Sequence, residues 1–96
     1  MSAGLLSSLG GTLVVSCQAY PGEPMRTTDT MTRVALAAQE GGASAIRAQG
    51  LDDLAAMHAV LSVPLIGLVK EGDEPVFITP TAATALSIAA AGAQIV

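Results

Sequence analysis

Apolar positions along this chain alternate between short continuous runs and stripes at helical spacing. Thr12-Leu13-Val14-Val15-Ser16 is rich in β-branched residues and predicts a first strand. Ala43 to Ala48 predicts a second, and Leu65 to Val69 a third that Pro64 opens. Between the first two, Met31, Val34, Ala35 and Ala38 follow the i, i+3, i+4, i+7 rule of one helix face. Thr28, Asp29 or Thr30 caps that helix, which runs to about Glu40, where Gly41-Gly42 stops it. Leu51, Leu54, Ala55, His58 and Leu61 share one side of the next helix. After Val76-Phe77-Ile78, Thr79 or Thr81 caps a helix through about Ala91, with Pro80 tolerated at its entry. Gly92 ends it, and Ala93-Gln94-Ile95-Val96 begins another strand. Ahead of all this lies a short helix around Leu5 to Leu9, ended by Gly10-Gly11.

Strand, helix, strand, helix, strand, helix, strand is the order of right-handed crossover units on a parallel sheet. A strand that begins within four residues of the terminus has no room for the helix that should cover it. The pattern therefore predicts an α/β fold in which residues 1–96 are the amino-terminal part of a single TIM (β/α)8 barrel domain. A complete barrel takes about 200 residues or more, so three to four βα units are expected here.

Composition narrows the chemistry. The chain is 51% hydrophobic with only two aromatic residues, so alanine, valine, leucine and isoleucine must fill the core. The net charge of −4 and four scattered basic residues leave no electrostatic footprint for nucleic acid. Val14-Val15-Ser16-Cys17 looks like a lipidation box, but no positive charge precedes it; the first basic residue is Arg26. Pro75 to Val96 is charge-free and long enough on paper to cross a bilayer. Its proline, threonines, glutamine and many alanines make it a weakly hydrophobic buried helix and strand instead. The lone Cys17 cannot form an internal disulfide and fits a reducing cytoplasm.

Candidate chemistry sits where apolar strands end. Lys70, the sole lysine, directly follows the third strand; Arg47 follows Ala43-Ser44-Ala45-Ile46, and Gln18 lies just past the first strand. Parallel α/β folds place their active sites at the carboxyl ends of strands. Each residue has a plainer reading. Lys70 could be a solvated charge opening the acidic turn Glu71-Gly72-Asp73-Glu74, Arg47 the ion-pair partner of a carboxylate, and Gln18 a cap on loop backbone groups. Cys17 reads as a small buried residue, His58 as structural, and Asp52 and Asp53 as charges favouring the start of a helix. The loop from Gln18 to Arg26, with Pro21-Gly22 and Pro24, is a natural carrier of function.

Ser16-Cys17-Gln18-Ala19-Tyr20-Pro21-Gly22-Glu23-Pro24 closely resembles the first-strand loop of the bacterial N-acetylmannosamine-6-phosphate 2-epimerases. Gly41-Gly42-Ala43, Ile46-Arg47-Ala48, Val63 to Lys70, Val76-Phe77-Ile78-Thr79-Pro80-Thr81 and Ala90-Ala91-Gly92-Ala93 are similar to later segments of that family, in the correct order. The resemblance implies a cytoplasmic TIM-barrel isomerase of sialic-acid catabolism. It would interconvert N-acetylmannosamine 6-phosphate and N-acetylglucosamine 6-phosphate without redox cofactor or metal. It also implies that Lys70 shuttles the proton at C2 and that Gln18 and Arg47 contact the phosphorylated amino sugar. The family's acidic residues and phosphate loops come from later strands. One departure is Ala82-Ala83-Thr84-Ala85, neutral where the family usually carries charge. Such a face could pack on a partner subunit in a homodimer. Rival readings are another phosphate-binding barrel enzyme, or a non-catalytic half-barrel dimer that at most binds sugar phosphate.

Overall fold

The computed structural model describes residues 3–96. A short helix α1 (Ala3–Ser8) leads into β1 (Val14–Cys17), followed by α2 (Thr28–Glu40), β2 (Ala45–Gln49), α3 (Leu51–Val60), β3 (Leu65–Leu68) and α4 (Ala82–Ala91). The three strands form one parallel sheet in the order β1-β2-β3. Ile95 continues it on the far side of β3: Gly67 N–H donates to Ile95 O at 2.8 Å, and Ile95 N–H to Leu65 O at 3.1 Å. Gln94 reinforces this edge, its Oε1 accepting from Leu65 N–H at 2.8 Å. The expected order of elements is therefore present, with the last strand represented by an isolated bridge.

All three longer helices pack on the sheet, α2 on β1 and β2, α3 on β2 and β3, and α4 on β3. Strand side chains alternate between faces. Cys17, Ile46, Ala48 and Leu65 meet Met31, Ala35, Leu54, Met57 and Ile88 in one apolar core. Small residues let the layers approach closely. At Gly67 a Cβ would lie 2.4 Å from Ile88 Cγ2 and 2.9 Å from Ala93 Cβ, so only hydrogen fits. α4 turns Ala82, Ala83 and Leu86 outward, with Leu86 72% exposed. No helix among the described residues is long and apolar enough to cross a membrane.

Local differences from the sequence expectations have identifiable causes. Thr27, one residue earlier than expected, caps α2; its side chain accepts from Thr30 N–H at 3.0 Å. At α4 the cap is Thr81, accepting from Thr84 N–H at 3.1 Å. Thr79 instead clamps the chain to the end of β3, its N–H donating to Val69 O at 2.7 Å with φ of +46°. The second strand begins at Ala45, not Ala43, because Ala43 N–H still returns to Ala38 O at the end of α2. Helix α3 is rotated from the expected stripe. Asp53, Leu54 and Met57 are buried, whereas Ala55 and His58 are exposed. His58 lies against Gly92, where an added Cβ would come within 2.3 Å of its Cγ.

Candidate active site

A cleft of about 580 Å³ opens beyond the carboxyl ends of the three strands. Gln18, Arg47 and Lys70 all line it, together with Tyr20, Gln49 and Phe77. The alternation that turns Ile46 and Ala48 into the helical core turns Arg47 and Gln49 to the opposite face of the sheet. Register shows that the three predicted residues are staggered. Arg47 sits within β2, level with Ser16 and Ile66, while Gln49 is level with Leu68 and Lys70 lies two residues further on. The expectation that Arg47 ends its strand is therefore corrected: Gln49 does. A period of two placed Gln49 on Arg47's face, but its position before Gly50 reads as a turn in the sequence.

Lys70 Nζ donates to Tyr20 Oη at 3.1 Å and lies 4.3 Å from the centre of the same ring; among the described residues it forms no ion pair with the acidic turn. Its backbone N–H donates to Gln49 Oε1 at 3.1 Å, joining the ends of β2 and β3. Gln18 Nε2 donates to Ser16 Oγ at 2.8 Å, a side-chain contact and not a loop backbone cap. Arg47 is half-buried, and among the described residues no carboxylate lies within ion-pair distance of it. Arg26 and Arg33, by contrast, pair with Asp53 and Asp29. The cleft thus gathers two cations and two carboxamides with no acidic side chain in its lining. Such a lining suits an oxygen-rich, electron-rich ligand.

The loop between β1 and α2 is held from below. Asp53 is 3% exposed, and both its oxygens accept from Arg26 Nη2, at 2.7 and 2.8 Å. Thr28 Oγ1 donates to the same carboxylate at 2.6 Å, and Arg26 Nη1 to Ala19 O at 3.4 Å. Helix-end electrostatics accounts for Asp52 but is too little for Asp53, which ties α3 to the loop carrying Gln18 and Tyr20. A second hollow, about 480 Å³, borders this ion pair and is lined by Thr27, Gln49 and Gly50 among others. Cys17 is buried in the helical core, and that burial pushes its thiol pKa up, the state of an unreactive thiol.

Residues 31–96 match the family model described as "Putative N-acetylmannosamine-6-phosphate epimerase". The chain belongs to that family. Over 92 residues it is 53% identical to the Cutibacterium acnes protein named "Putative N-acetylmannosamine-6-phosphate 2-epimerase", covering 96% of this chain and 40% of that one. The Lactiplantibacillus plantarum protein of the same name is 43% identical over 93 residues, covering 95% and 41%. The solved N-acetylmannosamine-6-phosphate 2-epimerase from Clostridium perfringens superposes with a TM-score of 0.86 at 36% identity, over 94% of this chain and 40% of that one. The chain spans about two fifths of the length of these relatives. Its fold is that of the first three to four βα units of an epimerase-family TIM barrel, as the alternation of elements predicts.

Proposed function

We propose that these residues carry the proton-transfer part of an N-acetylmannosamine-6-phosphate 2-epimerase site, with Lys70 as acid and base and with Gln18 and Arg47 as substrate contacts. The observation that carries the reading is that all three side chains line one cleft beyond the strand ends, in a chain of this family. In the open-chain sugar, C2 lies beside an aldehyde. Lys70 takes the C2 proton, leaving an enolate whose charge rests on the aldehyde oxygen. Arg47 or Gln18 donates hydrogen bonds to that oxygen as charge develops. The Lys70 ammonium returns the proton once rotation about C2–C3 has turned the other face of the enolate toward it, which completes the inversion. Among the described residues Arg47 has no carboxylate partner, which leaves its guanidinium available to such an oxyanion.

The test is a chimera in which residues 1–96 replace the matching segment of the Clostridium perfringens enzyme. Lys70→Met in that chimera is expected to lower kcat by at least about a thousandfold, the scale lost with an essential acid–base group. Epimerisation retained in a folded K70M chimera would overturn the assignment. The 96 residues alone are expected to show little or no turnover in the same assay, because their β1 edge and cleft are open. An enzyme-like rate from them would refute that part.

A further inference from the structure

The Lys70 amine has a polar partner that the proton-transfer scheme does not use. Among the described residues both of its contacts, the hydrogen bond to Oη and the approach to the ring, are with Tyr20. We infer that Tyr20 is a positioning residue that holds the Lys70 amine in one orientation at the mouth of the cleft. The inference rests on the reading of Lys70 as the acid and base.

A lysine stem has many rotamers, and an amine free to sample them spends little time facing a carbon acid. The contact with Tyr20 removes that freedom without consuming the lone pair. A protonated amine has three N–H donors and a neutral one retains two, so one N–H can stay on Tyr20 Oη through the whole proton cycle. The ring face attracts the cationic form in addition. Tyr20 itself is 63% exposed, yet its backbone is fixed. Glu23 N–H donates to Tyr20 O at 3.0 Å across Pro21-Gly22, with Gly22 at φ +89°, the geometry of a turn that needs glycine at its third position. Glu23 Oε1 accepts from Tyr20 N–H at 2.5 Å, and Arg26, locked on buried Asp53, holds the backbone at Ala19. The hydrogen-bonded loop thus presents a largely exposed tyrosine whose hydroxyl meets the Lys70 amine.

Because Lys70 is the sole lysine, its ε-methylene signals in a proton–carbon NMR spectrum of the chain are unambiguous. They are expected upfield of random-coil positions, shifted by the Tyr20 ring. Tyr20→Ala should return them to random-coil values with backbone amide dispersion unchanged, and Tyr20→Phe should leave them displaced. Random-coil signals in the parent chain, or signals indifferent to Y20A, overturn the contact. If Y20A loses amide dispersion, comparison of the parent with Y20F decides, since the ring shift must survive loss of the hydroxyl. In the chimera, Y20A is expected to lower kcat about tenfold with KM within about twofold, and Y20F to fall between. An unchanged kcat, or an effect on KM alone, refutes the positioning role. An active K70M chimera removes the catalytic reading while the NMR contact stands; an inactive one with indifferent NMR signals does the reverse.

Discussion

The two faces of this sheet are made from alternate residues of the same strands, yet they do opposite work. On the helical face Cys17, Ala48 and Gly67 sit level across three strands beneath Leu54 and Ile88, with no room for one more carbon at Gly67. On the other face Ser16, Arg47 and Ile66 are level, and beyond them Gln18, Gln49 and Lys70 edge an open cleft. One face is specified by volume and the other by which polar groups converge. Stability should therefore be lost on the first face and function on the second. Asp53 crosses the boundary, being buried like a core residue while holding the loop that shapes the cleft.

Three substitutions sharpen that contrast. The largest expected loss of stability is at the boundary. Asp53→Ala leaves the Arg26 guanidinium, itself only 21% exposed, without its partner, and should cost about 3 kcal/mol in urea unfolding. It should also loosen Tyr20, visible as movement of the Lys70 ε signals toward random coil. Retention of parental stability in D53A would show that the ion pair does not anchor the loop. On the helical face Gly67→Ala should cost about 2 kcal/mol, because the new Cβ meets Ile88, Ala93 and Leu54 together. A stabilised G67A would mean that the layers part more readily than their packing indicates. Smallest for stability is Arg47→Met on the cleft face, with an expected change within about 0.5 kcal/mol, since no ion pair is broken. The same change should raise KM or lower kcat in the chimera. A strongly destabilised R47M would turn Arg47 into a structural residue and erase the contrast.

Much of this was legible in the chain, for local reasons. Lys70 stood out because a charge directly follows a continuous apolar run, and strand direction then puts it at a carboxyl end. Boundaries were less legible where residues of equal propensity adjoin. Thr28, Asp29 and Thr30 are all cap-formers and were the expected start of α2, yet the adjoining Thr27, of equal propensity, caps it. Ala43 to Ala48 carries no internal mark for the start of β2, and Gln49 before Gly50 reads as a turn, which set Arg47 at a strand end that belongs to Gln49. Asp53 could not be read at all, because its meaning lies in Arg26, 27 residues away, and two adjacent aspartates at a helix start have a sufficient local explanation. Tyr20 was visible only as part of a loop motif.

By itself the sequence determined the order of elements, the parallel α/β class and the polar residues available at strand ends, while its loop strings carried the resemblance to the family. Order, class and strand-end residues follow from spacing, apolar runs and turn chemistry, all of which act over a few neighbouring residues. Only the tertiary structure decided that α3 turns Asp53 inward, that Arg47 has no carboxylate partner among the described residues, and that Tyr20 reaches Lys70 across 50 positions of chain. Such pairings depend on the register and the packing of three crossover units at once, and no local propensity encodes them.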